Sequence, residues 1–395
     1  MTRPARLVFA TGILAAMAIA VQPGLAHKAI TSPYTFNEDV APILREHCVA
    51  CHADGTAAPM SLRTHTETVP WAASMLVELV AGHMPPWSVE GDASRFRNVK
   101  VLAARDLDVL LTWAAGGTPA GPSAAAPPPA PVPPAWPLGE PDVTLSAPEF
   151  TLRADVGQDV QEFRIATGTR EDRWLRAVDV RPGDTTIVRS ATVAVAQGHD
   201  ATGPGGVERL LALWVPGDRP VPAEGAAFRL PAGAELVLRV HYRKTWLRER
   251  DVVRDRSAVG LYFTPARTEV IRAVTLEPAA AHPGSPGAEV RFGRTLDADM
   301  QVLAIYPAPG LHDTTLTVHA TRPDGTGETL IAFRPQADWA RRYWLSEPVV
   351  LPAGTRLDVR ASTDAAAALA PPGALPRAPS GAGDIRVTLN VIPVR

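Results

Sequence analysis

The chain has 395 residues, 39 Lys+Arg against 41 Asp+Glu, and a formal net charge of -2. This balance, with no basic run or patch, gives no footprint for a nucleic-acid partner, and the length admits two or three domains with several buried cores. With 40 Pro, 30 Gly and only 6% aromatics, the composition favours β-structure rich in turns and joined by Pro-rich connections.

Residues 1–26 read as a secretory signal peptide. Arg3 and Arg6 form a basic start, Leu7 to Val21 is an apolar run, and Gly24 and Ala26 are the small residues before a cleavage point at His27. The run is short for a transmembrane helix, which needs about 20 residues; an uncleaved anchor is the lesser alternative. The mature chain is expected to be exported, periplasmic or otherwise, without a membrane span. Such a compartment invites disulfides, yet the chain has only 2 cysteines.

Both cysteines lie in "EHCVACHADG", Glu46 to Gly55. The preceding stretch, Asn37 to Cys48, has Asn37 as an expected N-cap, Glu38 and Asp39 in the first turn, and Val40, Ile43 and Leu44 on one face. C-x-x-C-H is the attachment signature of a c-type haem. Cys48 and Cys51, one helical turn apart, can each form a thioether to a vinyl group, and His52 can then offer an imidazole nitrogen to the iron. A redox dithiol would want a thioredoxin-like βαβ context, and a zinc site would need two further ligands at matching spacing. One covalent haem c is therefore expected, with His52 as the proximal ligand.

The sixth ligand has several candidates. Thr68 to His83 has a helical pattern in which Met75 reads as core; Met84 follows it in "GHMPPW", where Pro85 and Pro86 stiffen the loop. Met84 is the favoured ligand, Met60 the second candidate and His83 the third. Ala103 to Gly117 reads as another helix, ended by Gly116 and Gly117. Residues 27–118 are thus expected to form a small all-α domain. Residues 119–141, dominated by Ala and Pro, are expected to form a semi-rigid linker.

After Asp142 short alternating runs broken by Gly and Pro suggest antiparallel sandwiches. "LPAGAELVLRV" (230–240) and "LPAGTRLDVRA" (351–361) are alike, suggesting two all-β domains at 142–268 and 269–395. The expected fold class is multidomain: a small all-α cytochrome c domain followed by two all-β antiparallel sandwich domains.

Two resemblances meet in this chain. "FNEDVAPILREHCVACH" with "GHMPPW" resembles the bacterial cytochrome c domains that precede copper type II monooxygenase-like modules. "RAVDVRPGD" (176–184), "LWVPGD" (213–218), "LPAGAELVLRVHY" (230–242), "RDRSAVGLYF" (254–263) and "EPVVLPAGTRLDV" (347–359) resemble the modules themselves, related to peptidylglycine and dopamine β-monooxygenase. The resemblance implies Met84 as the axial ligand. It also implies two copper centres, and here the sequence departs from it. Arg189 and Ser190 stand where a His-His pair is expected, and His241, Tyr242 and Arg243 stand where His-x-His is expected. No methionine follows Met300. A guanidinium cannot coordinate copper and repels it. Copper is therefore not expected, and of His199, His241, His312 and His319 only His241 is retained as a possible copper ligand.

No other catalytic motif occurs, and no catalytic residue is assigned. The expected function is haem binding and electron transfer with a periplasmic redox partner protein, the β-module serving as a docking or binding scaffold. The alternatives are a copper- and haem-dependent monooxygenase and a haem-based sensor.

Overall fold

The computed structural model describes residues 31–86, 88–99, 101–123, 134–196, 209–265, 269–279, 289–311, 314–336, 338–363 and 385–394. The expected signal peptide, residues 124–133 of the Ala/Pro run, His199 and His312 lie outside the described residues.

The N-terminal segment carries the helices. A π-turn at Phe36–Val40 runs into an α-helix at Ala41–His47, and further α-helices span His65–Thr68, Ala72–Val80 and Ala104–Ala115. Thr64 and Glu67 form a capping box on the second. The first cap is Thr35, two residues before the expected Asn37. The Thr35 amide donates to the Asp39 carboxylate at 2.8 Å, while Asn37 donates its amide to the Pro122 carbonyl at 3.1 Å. These helices close on a small core of Phe36, Val40, Leu44, Leu110 and Trp113, against which Met75 and Leu79 pack.

Among the described residues, four larger sheets and a two-stranded antiparallel pair, Val253–Asp255 with Phe150–Leu152, follow. The first sheet orders Glu269–Val270, Ala226–Leu230, Arg173–Arg181, Ala258–Thr264 and Val143–Ser146; the second orders Gln158–Ala166, Glu235–Arg243, Val188–Val195 and Arg209–Trp214. The third orders Arg272–Leu276, Val387–Pro393, Met300–Pro307 and Tyr343–Leu351. The fourth orders Ser88–Val89, Gly327–Arg334, Thr314–Thr321, Arg356–Thr363 and Glu289–Thr295. Both LPAG stretches are tight turns between strands. Gly233 and Gly354 take φ of +67° and +83° there, a region that favours glycine.

This architecture corrects the expected fold class. Among the described residues strand accounts for 42% and helix for 16%, and the four sheets take a propeller-like arrangement, with no separate all-α cytochrome domain among them. The helical segment is not free-standing. Its residues Ser88–Val89 add an antiparallel edge to Gly327–Arg334, and Phe96, which bridges to Leu345, is buried in the core of the last two sheets.

Nor are there two separate two-layer sandwiches. A two-layer sandwich leaves each sheet one wet face and each strand an alternating pattern. Thr314–Thr321 alternates in that way, but Arg173–Arg181 and Met300–Pro307 hold runs of consecutive buried residues, so both their faces are covered. Leu303, Trp344 and Ile392 of the third sheet join the core between the first two. Glu269–Val270 pairs in parallel with Ala226–Leu230. Local alternation specifies strands; it does not say how many sheets cover them.

Two features fasten the β-structure. The Asp255 carboxylate, 3% exposed, accepts from the amides of Gly183 (2.9 Å), Asp184 (2.8 Å) and Ser257 (3.0 Å) and from the hydroxyls of Tyr242 (2.9 Å) and Ser257 (2.8 Å). A Cβ at Gly183 would come within 2.5 Å of the Arg256 backbone nitrogen, so only glycine allows this approach. The end of the Ala/Pro run is also held. Trp136 is buried beneath the Arg181 guanidinium, and the Gly139 carbonyl accepts from Tyr262 at 2.8 Å. Among the described residues, no helix is long and apolar enough to cross a membrane.

Candidate functional site

The Cys-x-x-Cys-His stretch forms one helical turn off the end of Ala41–His47. The Cys48 amide donates to the Leu44 carbonyl at 2.8 Å, and the amides of Cys51 and His52 both return to the Cys48 carbonyl, at 3.0 and 2.9 Å. The turn closes because each short step satisfies a carbonyl left over at the helix end. Residues 53–62 then fold back, the Ala58 and Leu62 amides donating to the Cys51 and His52 carbonyls at 3.1 and 3.0 Å.

Both cysteines are free thiols. Burial, reinforced by the neighbouring Cys51, pushes the Cys48 thiol up to about 12. Burial does the same to Cys51, again to about 12; Arg341 and Arg189 oppose it and Asp218 adds to it. Both sulfurs are therefore protonated near neutral pH, which is the reverse of a reactive redox dithiol with its stabilised thiolate. His52 is shifted the other way. Burial lowers its pKa, a hydrogen bond to the Met60 backbone opposes the shift, and its Nδ1 is buried without a partner. A neutral imidazole is the form that ligates a metal.

The motif loop is seated on the β-structure. The Cys51 thiol donates to the Pro216 carbonyl at 3.2 Å, and a Cβ at Gly217 would lie 3.0 Å from that sulfur. Thr185 donates its hydroxyl to the Gly55 carbonyl and Arg189 its guanidinium to the Ala57 carbonyl. Behind Gly217, Arg341 and Asp218 form a buried ion pair. Sequence reasoning missed this docking; "VPGD" signals a turn but not what the turn touches.

The remaining predicted residues are distributed as follows. Met60 reaches His52 through its main chain. Met84 sits on a separate loop after Ala72–Val80 and is 36% exposed. Ala73, Val77 and Val80, spaced four and three apart on that helix, are also exposed, so an uncovered apolar stripe leads to Met84. His83 Nδ1 is engaged with Glu78 at 3.0 Å. His241 Nδ1 lies 3.2 Å from Asp338, whose other oxygen meets Arg243 at 3.3 Å. His319 faces Thr329 at 3.4 Å. Arg189 is brought down to about 10, first by burial and then by Arg243.

No family model matches the chain, and no curated protein matches it. Among solved structures, it is similar to a β-porphyranase of glycoside hydrolase family 86 from the human gut bacterium Bacteroides plebeius, at 8% identity and a TM-score of 0.17 over 60% of this chain and 35% of that one. The PBSX exported protein XepA is matched at 10% identity and a TM-score of 0.19, over 56% of this chain and 86% of that one. An allantoicase is matched at 11% identity and a TM-score of 0.17, over 52% and 76%. The chain thus spans about a third of the β-porphyranase, and scores this low carry no argument.

These findings overturn the resemblance to a cytochrome c domain fused to a copper monooxygenase-like module. Among the described residues the structure is mostly β with no cytochrome-like all-α domain, and no family model matches the chain. Among the described residues, no three His, Cys, Asp or Glu side chains are grouped to hold a metal ion. Around His241 the neighbours are a carboxylate and guanidinium groups, which make an ion-pair cluster.

One buried acid near the docked loop gives a test of this electrostatic picture. Asp179 is 4% exposed. Burial raises its pKa from 3.8 to about 7, the Val180 amide opposing and Asp218 adding to the shift. The folded state holds the extra proton between those values, so stability falls as pH rises from 3.8 to about 7, and the loss is complete above it. Asp179→Asn keeps an oxygen for the Val180 amide. It is expected to stabilise the chain by a few kcal/mol at pH 8 and to have little effect near pH 3.5, as read from urea unfolding midpoints at the two pH values.

Proposed function

We propose that Cys48 and Cys51 bind one haem covalently, that His52 ligates its iron, and that the chain is an exported electron-transfer protein working with a periplasmic redox partner. The observation that carries this reading is the turn itself: two protonated, unpaired thiols one turn apart, followed by a neutral imidazole with a buried, unpartnered nitrogen. When bound, the haem supplies a one-electron ferric/ferrous change.

The residues present fit such a group. Cys48 and Cys51 would hold the haem through one thioether each, every sulfhydryl giving its sulfur to one vinyl carbon and its proton to the other, with no oxidant needed. The raised thiol pKa values keep that proton in place beforehand. Met84, at the end of the exposed apolar stripe, is the proposed sixth ligand, with Met60 the second choice. The sheets act as a scaffold: through Thr185, Arg189 and Pro216 they hold the motif loop, Pro216 taking the Cys51 thiol.

The test is to express the full chain in a periplasm that matures c-type haem, denature it, and measure haem retained on the polypeptide by mass and by the alkaline pyridine spectrum. One haem per chain in the periplasmic fraction is expected. Folded protein with no covalent haem would overturn the reading. Carbon monoxide should leave the reduced spectrum unchanged if Met84 closes the sixth position.

A further inference from the structure

We propose that a cavity where the N-terminal segment meets the first, second and third sheets binds a small oxyanion, a carboxylate or inorganic oxyanion of three to five heavy atoms. The proposal is independent of the haem reading. The cavity has a volume of about 40 Å³, and Asn98, Arg176, Asp218, Arg219, Arg342 and Trp344 are among the side chains that line it. A water needs about 10–15 Å³ by the same kind of measure, so the space holds about three waters or one small oxyanion.

Charge decides between them. Three of the lining residues are arginines and one is an aspartate, and the Asp218 carboxylate is already bound to Arg341, while the Arg176 guanidinium lies 5.4 Å from the Tyr262 ring. Arg342 is the unusual member. It is 6% exposed, and its terminal nitrogens donate to the Leu211 and Leu210 carbonyls at 2.7 and 2.9 Å. Its Nε is buried without a partner, and among the described residues it makes no ion pair. The rings of Phe228 and Tyr306, each 5.0 Å away, and Trp344 at 5.7 Å surround it. Aromatic faces recover only part of the cost of burying a cation; an anion recovers much more. Burial accordingly lowers the Arg342 pKa, with Tyr306 opposing.

Planar guanidinium donors match carboxylate and other oxyanions in pairs of hydrogen bonds. Arg219 is exposed at the rim and Arg342 forms the floor, so an anion can enter from solvent and meet the buried charge. Since the lining comes from residue 98, from 176–228 and from 342–344, an occupant would tie three parts of the chain together.

The experiment is thermal unfolding of the full chain, titrated with sodium formate, acetate, phosphate, sulfate and chloride at constant ionic strength. At least one oxyanion should raise the melting temperature saturably while chloride does not, and Arg219→Gln should weaken its apparent affinity at least tenfold. Saturation by formate or acetate alone would assign a carboxylate ligand, and saturation by phosphate or sulfate alone an inorganic one; either supports the site. Equal, non-saturating shifts for all salts, or an affinity unchanged in both Arg219→Gln and Arg176→Gln, would overturn it. The floor is probed separately by Arg342→Met; if that variant fails to fold, the Arg219→Gln and Arg176→Gln variants still decide.

Discussion

Asp255→Ala is expected to destabilise the chain by about 3–5 kcal/mol, the range for removing one partner of a buried charged network. The carboxylate takes five hydrogen bonds, and all five donors lie at one crossing of the segments 183–184, 242 and 255–257. Alanine would leave buried donors unsatisfied, at about 1–3 kcal/mol for each that water cannot reach. Tyr242→Phe removes one donor and leaves four, so it should cost only about 1 kcal/mol. Chemical unfolding of both variants makes the comparison. A loss at Asp255→Ala no larger than at Tyr242→Phe would show that the five bonds do not act as a hub.

Replacing Cys48 and Cys51 together by alanine should abolish haem that survives denaturation, a complete loss where the unsubstituted chain carries one per molecule. Each single variant should keep one thioether, so the double variant reads the motif and the singles read its two halves. The β-structure should be unaffected in far-ultraviolet circular dichroism, because only Cys51 touches it, through the Pro216 carbonyl. His52→Ala should retain the covalent bonds but alter the visible spectrum, since it removes the proposed axial nitrogen and neither sulfur. Covalent haem persisting in the double alanine variant would refute the assignment.

The features legible in the sequence were those set by a few neighbouring residues. The LPAG turns declare themselves because the glycine must take positive φ. The Cys-x-x-Cys-His turn is a matter of one helical period, and the helix at Ala104–Ala115 follows from its apolar spacing and its closing glycines. What failed was long-range. The "RPGD" and "RDRS" stretches that suggested a metalloenzyme family are two sides of the Asp255 junction, 72 residues apart at Gly183. Their chemistry is turn closure, which unrelated β-proteins can reach with the same residues. The alternating strands were readable one by one, but the double burial of Arg173–Arg181 depends on a sheet contributed by residues beyond 300. Asp338, which occupies both His241 and Arg243, lies 95 positions from the latter and leaves no local trace.

The seating of the motif loop has an evolutionary consequence. Thr185 and Arg189 grip it through the main-chain oxygens of Gly55 and Ala57, with no side chain of the loop as the acceptor. Main-chain oxygens are present whatever residue occupies the position. Exposed sites such as Asp54 are therefore free to drift in sequence without loosening the grip, while Thr185, Arg189 and Gly217 are constrained. Exposed loop positions such as Asp54 should accordingly vary more among relatives than Thr185, Arg189 and Gly217, while Cys48, Cys51 and His52 stay fixed by their proposed role.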